Sequence, residues 1–507
     1  MNTDSIHTRR LFWGCFIALV TCAFGFIVRT QVIGEWQTQF NLDETQKGDI
    51  LGVGFWPFAF SIFLFSFIID KVGYGRVAAF GFLCHVVSTI LLVTATSARQ
   101  LYWGTFIFAL SNGTVESYIN AAVATMYPRD KTKWLNILHA GWPGGMVIAG
   151  MLGIAMGNLS WQWKVGLTFV PTAIYGLILL RQRFPVSERV AAGVTYREML
   201  ADFGGLGAFV ASYFIGVQVC EGILHMASGQ FLWPLLPALI IAAAFGMAVR
   251  SLGQPIYFVL LLIMLPLATT ELGVDSWIGE LMAPEMRLIG LHAGWVLVYT
   301  SLIMTVLRCF AGPLVHKLSP LGLLACCSVL AALGLFTLSK AAGLTILLAA
   351  TLYGVGKSFF WPTMLGLVAE RFPRGGAVTL NCIGGVGMLG LSVGMVFLGN
   401  VQDKHTALTL TANQPQLAST YLGEEKPSVF GKYRALDQAK LAAAPEGDKA
   451  AVDAARASAK KNALSTATIF PVIMLAAYLG LILHFRARGG YRSEHLATAA
   501  NPAPGSP

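Results

Sequence analysis

Two stretches of the sequence, VATMYPRDKTKWLN at residues 123–136 and VAERFPRGGAVTLN at residues 368–381, repeat one another in outline. Both carry Val-Ala, Pro-Arg and Leu-Asn at the same spacing, and both lie on a basic loop between two long apolar stretches. A second echo, at almost the same offset, relates residues 66–72 to residues 312–318. The chain is therefore predicted to contain two related halves. Repeated halves around a central site are typical of secondary transporters.

The composition places these halves in a membrane. Of 507 residues, 55% are hydrophobic and only 12% are charged, whereas about a quarter of the residues of a soluble protein are charged. Apolar runs of about 20 residues predict transmembrane helices, and continuous runs exclude the alternating strands of a barrel. The eight cysteines lie in or near these runs without metal-binding spacing, so we predict neither a metal site nor a cofactor. The predicted fold class is all-α and integral to the membrane.

We predict fourteen transmembrane helices. They lie at residues 11–33, 48–69, 77–96, 101–127, 134–157, 162–181, 203–226, 231–249, 256–280, 293–314, 321–339, 343–369, 377–400 and 466–485. Lys and Arg are concentrated in alternate short loops and near both termini, which places that side and both termini in the cytoplasm. The same distribution argues against nucleic acid as a partner, although the net charge is +10. We predict a monomeric, multi-pass protein of the plasma (cell inner) membrane, in contact with the lipid bilayer.

The repeat determines how the helices are grouped. Since both copies must face the same side, an even number of helices separates the halves, and we predict an inserted two-helix hairpin. The predicted parts are the N-terminal six-helix half (1–197), the inserted hairpin (198–254), the first five helices of the C-terminal half (255–400), a long external loop (401–464), the last transmembrane helix (465–488) and a disordered cytoplasmic tail (489–507). The loop is predicted to be mobile and solvated, with a surface helix within residues 435–461 as the alternative.

The loop after the second predicted helix carries a known signature. Residues 66–76, SFIIDKVGYGR, resemble the G-x3-D-x2-G-R-[RK] motif of the major facilitator superfamily, with serine for the first glycine and Arg76 one position after the last, basic position of the motif. The resemblance implies the major facilitator fold of two six-helix repeats, to which this chain adds the hairpin. It also implies a cytoplasmic gate at Asp70, Gly73 and Arg76, because an acid at a helix end can interact with the dipole of a neighbouring helix. The alternative is that Asp70 merely belongs to a polar helix end.

The fourth predicted helix narrows the resemblance. Residues 113–120, GTVESYIN, are similar to the G-x2-E-x3-N stretch of the fucose/galactose–proton symporter family, and residues 127–145 continue the likeness. This family implies that a sugar and a proton are the transported species. The chain departs from the family because its first helix has Arg29 and no aspartate, and because fourteen helices are predicted.

Glu116 lies deep in the membrane. At about 1.5 Å per residue it is roughly 18 Å from the helix end at Pro128, near the middle of the hydrocarbon core. A carboxyl group at that depth must be neutral, paired or in contact with water, and removal from water favours its neutral form. We predict that Glu116 is the proton site or accepts a sugar hydroxyl, and that Asn120, one turn on, shares its face. The alternative is a structural ion pair with a basic residue across the bundle.

Further charged candidates lie on the first, fourth, ninth and twelfth predicted helices, which by superfamily resemblance surround a central cavity; Asn136, His139 and Asn381 lie on the fifth and thirteenth. The predicted substrate-binding or proton-coupling residues are Arg29, Glu116, Asn120, Asn136, His139, Glu271, Asp275, Trp277, Lys357, Trp361 and Asn381. Lys357 and Trp361 could offer an amine and a stacking face to a ligand, or Lys357 could neutralise Glu116 or Glu271. His139 could relay protons or be hydrogen-bonded in the core.

Two of the charged candidates have a second interpretation. Arg29 and Asp275 lie nearer the external end of their helices, where a side chain can extend to the membrane surface. Glu271 is deeper and is therefore the stronger candidate on its helix.

These residues indicate transport rather than catalysis. The chain has neither a P-loop nor an HExxH motif, and the G-x-S-x-G string at residues 390–394 lies in an apolar run rather than at a strand–turn–helix junction. We predict a secondary active transporter that moves a small polar solute, by preference a sugar, by alternating access with proton symport. The alternatives are an organic-anion or drug carrier, in which Arg29 and Lys357 bind a carboxylate, and a non-transporting membrane sensor or scaffold that binds a partner through residues 401–464.

Overall fold

A computed structural model gives the architecture of the chain. It describes residues 3–42, 50–157, 159–220, 232–276, 294–343, 345–426 and 430–496, and the single residues 46, 278, 282, 286 and 290. Trp277, one of the predicted binding residues, lies outside the described residues, as do the middle of the inserted hairpin (221–231) and the end of the tail (497–507).

The N-terminal half is a bundle of helices that follow the predicted spans. Its helices are α1 (Thr3–Gln39), α2 (Trp56–Val72), α3 (Tyr74–Val93), α4 (Ala98–Met126), α5 (Lys131–His139), α6 (Gly141–Ala155), α7 (Trp161–Gly166) and α8 (Phe169–Leu179). The short helix α9 (Glu188–Ala191) follows, and then α10 (Tyr196–Gln218) and α11 (Leu235–Val249) of the hairpin. α5 and α6 together form one interrupted membrane span.

The C-terminal half repeats this order. It contains α12 (Pro255–Ala268), a π-helical turn (Thr269–Gly273), α13 (Gly294–Cys309), α14 (Ala311–Lys340), α15 (Thr345–Lys357), α16 (Phe360–Arg371), a 3-10 turn (Pro373–Gly375), α17 (Gly376–Asn413) and, after a folded insertion, α21 (Ile469–Arg486). α15 and α16 are the two parts of one predicted span, interrupted at residues 358–359.

Within the described residues, nine helical segments are long and apolar enough to cross a membrane. The remaining predicted spans fall on helices that are shorter, more polar or interrupted: α4, α7 with α8, α11, α13, and α15 with α16. The predicted all-α membrane bundle is therefore confirmed, whereas the number of fourteen crossings is not.

The two halves meet along paired helices. α6 packs against α13, and α2 packs against α17. These two contacts are equivalent under the repeat, because α13 corresponds to α2, and α17 corresponds to α5 and α6 together. A further contact joins α5 to α16. A continuous buried core extends through both halves.

Residues 401–464 differ from the mobile loop that the sequence predicts. α17 continues to Asn413 and leads into α18 (Pro415–Tyr421), an antiparallel hairpin of β1 (Leu422–Lys426) and β2 (Tyr433–Leu436), α19 (Gln438–Ala442) and α20 (Glu446–Ala467). Leu410, Tyr421, Leu441 and Val452 pack into a small separate core, and the Tyr421 hydroxyl donates to Asp448 at 2.7 Å. The Ala- and Lys-rich composition concealed these widely spaced apolar residues. We call this folded unit the extramembrane unit.

The beginning of the tail also differs from the disordered segment that the sequence predicts. Residues 489–496 lie against the end of α16, where the Tyr491 hydroxyl donates to Glu370 Oε2 at 2.8 Å and Glu494 pairs with Arg371 at 2.9 Å. The Tyr491 ring also packs edge-on against Phe485, with 5.7 Å between the ring centroids. Together with the bond from the Glu494 backbone N–H to the Glu370 carbonyl at 2.7 Å, these contacts hold the segment against the bundle.

Candidate functional site

A cavity lies between the two halves, near the middle of the bundle. Its empty volume, open side included, is about 650 Å³. It is lined by Phe26, Arg29, Gly54, Phe55, Phe58, Asn112, Glu116, His139, Trp142, Glu271, Leu272, Arg308, Trp361, Met388 and Leu391. Five of the predicted site residues are thus brought together in its wall: Arg29, Glu116, His139, Glu271 and Trp361.

Glu116 forms a short polar chain with its neighbours on α4 and α5. Asn120 donates from Nδ2 to Glu116 Oε2 at 2.7 Å, and its Oδ1 lies 2.9 Å from His139 Nε2. His139 Nε2 is 3.9 Å from the same Glu116 oxygen. All three side chains are buried. Among the described residues no lysine or arginine forms an ion pair with Glu116, so the predicted alternative of a structural ion pair is not what the structure contains.

Arg308, on α13, is a site residue that the sequence analysis missed. Its Nη2 donates to Glu271 Oε1 at 2.6 Å, its Nη1 to the carbonyl of His139 at 2.9 Å and its Nε to the carbonyl of Ser358 at 2.5 Å. The side chain is almost completely buried. Arg308 therefore joins the C-terminal half to the N-terminal half at the cavity wall. An arginine inside the predicted span 293–314 was the signal, because a charge at that depth indicates a functional or paired group.

Two prolines explain why those carbonyls are free. A proline has no N–H, so it cannot bond the carbonyl four residues earlier in its helix. Pro143 leaves the His139 carbonyl without a helical donor, at the junction of α5 and α6, and Pro362 does the same for Ser358, at the junction of α15 and α16. Arg308 supplies the missing donor at both places. The two interrupted helices and the arginine thus form one structural arrangement.

Glu271 binds the N-terminus of α16, at the second of these interruptions, in addition to forming the ion pair with Arg308. Its Oε2 accepts from the backbone N–H of Trp361, at 3.0 Å, in the first turn of α16. A carboxylate is stabilised there by the unsatisfied N–H groups and by the helix dipole. The π-helical turn Thr269–Gly273, which follows Pro266 in the helix, positions Glu271 on the cavity side. Such π-turns inside helices are frequent at functional sites.

Lys357 has a different partner from those that the sequence suggested. It forms a buried ion pair with Asp275, and its ammonium group lies 5.0 Å from the centre of the Tyr353 ring. It therefore neutralises neither Glu116 nor Glu271. Neither Lys357 nor Asp275 lines the cavity, and both side chains are buried rather than extended to the membrane surface.

Arg29 lines the cavity from α1. Its Nε donates to the carbonyl of Gly25 at 3.0 Å, and its guanidinium carbon lies 5.6 Å from the centre of the Phe108 ring. The Nη1 atom is buried and has no hydrogen-bond partner among the described residues. Arg29 is 6% exposed, so it is a buried cation rather than one that reaches the membrane surface.

The two repeat-related asparagines join the halves outside the cavity. Asn136 donates to Thr363 Oγ1 at 3.2 Å and to the carbonyl of Thr132 at 2.9 Å. Asn381 donates to the carbonyl of Ser117 at 2.8 Å. Each asparagine thus bonds to the opposite half. The structure places both in the contact between the halves and not in the wall of the cavity.

The end of the bundle that the sequence predicts to be cytoplasmic is closed by further contacts between the halves. Lys131, which donates to Glu188 Oε2 of its own half at 2.5 Å, also donates across to the carbonyl of Ala369 at 3.2 Å. The Thr132 hydroxyl donates to Glu370 Oε1 at 2.5 Å. We call the region around these five residues the closed end.

The predicted gate motif lies beside the closed end. Asp70 accepts two hydrogen bonds from Arg189 of α9, at 2.7 and 3.0 Å, so its partner is a side chain and not a helix dipole. Gly73, with a φ of 94°, makes the turn between α2 and α3. Arg76 is exposed and donates to the carbonyl of Val72 at 3.1 Å. A role of the three residues in gating stays a prediction.

The structure contains two repeated bundles of membrane helices with a charged cavity between them, and hydrogen bonds between the bundles close the cavity at one end. This arrangement is that of a membrane transporter. The chain belongs to the Major Facilitator Superfamily, whose family model matches residues 14–395. It is therefore a multi-pass membrane protein of a family of transporters rather than enzymes, which confirms both the predicted superfamily and the expectation of transport.

Comparisons with individual proteins agree with this fold. The "Protein TsgA homolog" of Buchnera aphidicola is 21% identical over 188 residues, or 36% of this chain and 49% of that protein; the chain thus spans about half the length of that relative. The human organic anion transporter MFSD10 (TETRAN) superposes with a TM-score of 0.58 at 14% identity, over 93% of this chain and 99% of that chain. The E. coli fucose:proton symporter FucP superposes with a TM-score of 0.55 at 14% identity, over 90% and 98%.

Proposed function

We propose that the protein is a secondary active transporter of the plasma (cell inner) membrane that moves a small polar solute together with protons. The observation that carries this proposal is the environment of Glu116, which lies in the cavity wall without a lysine or arginine partner among the described residues. A buried carboxyl group without a fixed countercharge is sensitive to every change in its surroundings. Entry of water or solute into the cavity is such a change, so Glu116 is the best candidate for the coupled proton.

The contacts of Arg308 suggest how protonation is linked to the movement of the halves. Arg308 is bound to Glu271 and to the carbonyl of His139, the residue that completes the polar chain from Glu116. When Glu116 is ionised, it competes with Glu271 for this guanidinium group. When Glu116 is protonated, it no longer attracts the guanidinium group, and Arg308 pairs with Glu271 alone. A single proton thus alters the electrostatic contact between the halves.

Alternating access would operate through the closed end. The bonds from Lys131 and Thr132 to α16, together with those of the two asparagines, hold the halves together on one side of the cavity. With both termini in the cytoplasm, as the loop charges predict, the cavity of this conformation would face the outside. Rocking of the halves would then break these bonds and expose the cavity to the cytoplasm.

Two solute classes are candidates. A sugar follows from the resemblance of residues 113–120 and from the overall likeness to FucP, and Trp142 and Trp361 offer aromatic faces in the cavity wall. An organic anion is the second candidate, because Arg29 places a buried cation in the same wall and because MFSD10, an organic anion transporter, has a similar fold.

Purified protein in liposomes tests the coupling. An imposed pH gradient, acid on the side of entry, should drive uptake of a transported solute and a matching uptake of protons, recorded with a pH-sensitive dye inside the vesicles. We expect Glu116→Gln to abolish gradient-driven accumulation but to retain exchange of labelled for unlabelled solute. Glu446→Gln, at an exposed position in the extramembrane unit, is the matched control. Accumulation by Glu116→Gln equal to that of the control at every pH would exclude Glu116 as the coupling site.

A further inference from the structure

We infer that Arg29 and Asn112 form a subsite for the carboxylate of the transported solute, which is therefore a small organic acid. This inference rests on the proposed transport function and names the class of its solute.

The state of the Arg29 side chain is the first observation. The guanidinium group is held at one edge by the Gly25 carbonyl and lies over the Phe108 ring, so its position is fixed before any ligand binds. Its Nη1 is buried and lacks a partner among the described residues, and Arg29 lines the cavity. A buried cation and an unsatisfied donor are both unfavourable unless an anion completes them. A guanidinium group binds a carboxylate with two parallel hydrogen bonds.

The balance of buried charge is the second observation. In the part of the chain that the structure describes, Glu271 is paired with Arg308, and Asp275 is paired with Lys357. Among the described cationic side chains of the cavity wall, Arg29 is the one without an acidic partner. Once Glu116 is protonated, the cavity therefore carries a net positive charge. An anionic solute neutralises that charge, whereas a neutral sugar leaves it uncompensated.

Asn112 supplies the second donor. His85 Nε2 lies 3.1 Å from Asn112 Oδ1, and His85 Nδ1 lies 2.9 Å from the Tyr175 hydroxyl. In this series of hydrogen bonds, the Tyr175 hydroxyl donates to His85 Nδ1, and His85 Nε2 donates to the amide oxygen of Asn112. The oxygen of Asn112 is thus occupied, and its NH₂ group is left for the cavity, which Asn112 lines. Asn112 lies one turn from Phe108 on α4, so its amide and the guanidinium group of Arg29 serve one region of the cavity.

The remainder of the wall suits an apolar body. Phe26, Phe55, Phe58, Met388 and Leu391 all line the cavity. A neutral sugar would place many hydroxyl groups against these side chains, and each hydroxyl without a partner carries a desolvation cost. A small acid with a ring or an aliphatic chain loses no such bonds. The subsite and the wall together therefore favour an amphipathic organic acid.

Thermal unfolding of the purified full chain in detergent tests the inference with defined probes. The probes are benzoate and benzamide, phenylacetate and phenylacetamide, and glucuronate and glucose, so that each acid is matched by a neutral compound of similar shape. We expect at least one of the acids, and none of the neutral compounds, to raise the unfolding midpoint of the wild type. Arg29→Gln should weaken the apparent affinity for that acid about 10- to 100-fold, as expected for the loss of a hydrogen bond to a charged group.

Two further variants separate binding from folding. Arg29→Lys keeps the charge and should retain part of the affinity, and Asn112→Asp, which is nearly isosteric but acidic, should weaken binding of the acid at neutral pH. Glu116→Gln, which keeps the cavity in the charge state of protonated Glu116, should bind the acid at least as tightly as the wild type while it loses proton-driven accumulation, so failure of the coupling proposal would be recognised separately. The inference is overturned if none of the three acids raises the midpoint of the wild type, or if glucose raises it equally in the wild type and in Arg29→Gln.

Discussion

Replacement of Arg308 by methionine tests how the two halves are held together at the cavity. The change removes three hydrogen bonds and leaves the buried carboxylate of Glu271 without its cation. Removal of one partner from a buried ion pair costs about 3–5 kcal/mol. Each of the two carbonyl groups, at His139 and Ser358, loses its donor at a cost of about 1–3 kcal/mol. Because methionine retains most of the side-chain length, the cavity left behind adds little. We expect the free energy of unfolding to fall by at least about 5 kcal/mol.

Denaturant unfolding in detergent micelles measures this loss, and a second substitution identifies its origin. Glu271→Gln in the Arg308→Met background removes the unpaired charge, so it should restore much of the 3–5 kcal/mol or so that belongs to the pair. Arg374→Met is the matched control, because Arg374 forms an ion pair with Glu198 at 2.9 Å whose side chains are about half exposed, and such pairs contribute about 0–1 kcal/mol. The reasoning is refuted if Arg308→Met is as stable as the control, or if the double variant is less stable than Arg308→Met alone.

The remaining predictions concern the closed end and use the alkylation rate of Ala124→Cys, a buried position there, as the measure of opening. Gly366→Val should increase this rate, because a Cβ at Gly366 would lie 2.4 Å from Thr132 Oγ1 and push the halves apart; Gly480→Val, where a Cβ meets nothing within 4 Å, is the control, and equal rates in both would contradict the prediction. Truncation before Gly489 should also increase the rate, because Glu370 loses the hydrogen bonds from Tyr491 and from the Glu494 backbone. Truncation after Leu496 keeps these bonds and should leave the rate unchanged; the same rate in both truncations would show that the segment does not hold the end closed.

Much of the fold could be predicted from the sequence because depth along a membrane helix follows directly from residue count. The repeat and the apolar runs predicted the two halves, and depth alone indicated Glu116 and Glu271, which both line the cavity. What depth cannot give is the neighbour that a side chain meets on another helix. Lys357 pairs with Asp275 rather than with either of those acids, because helix rotation and packing decide the partner.

The helix interruptions were the second part that sequence patterns did not reveal. Each proline was visible, but its consequence, a carbonyl that needs a donor from elsewhere, becomes clear only when Arg308 is seen to bond to both carbonyls. The asparagines illustrate a related point. The repeat relates Asn136 to Asn381, and both form bonds across the interface between the halves. A role of either residue in binding solute stays a prediction.

The length of α17 has a mechanical consequence. Its 38 residues form one uninterrupted helix, about 57 Å long at roughly 1.5 Å per residue, whereas the hydrocarbon layer is only about 30 Å thick. The same rod contributes Leu391 to the cavity and leads directly into the extramembrane unit. A tilt of the C-terminal half by about 10° would swing the projecting part, roughly 25 Å long, through about 4 Å. The position of a fluorophore attached to the extramembrane unit would therefore report, from outside the membrane, to which side of the membrane the cavity is open.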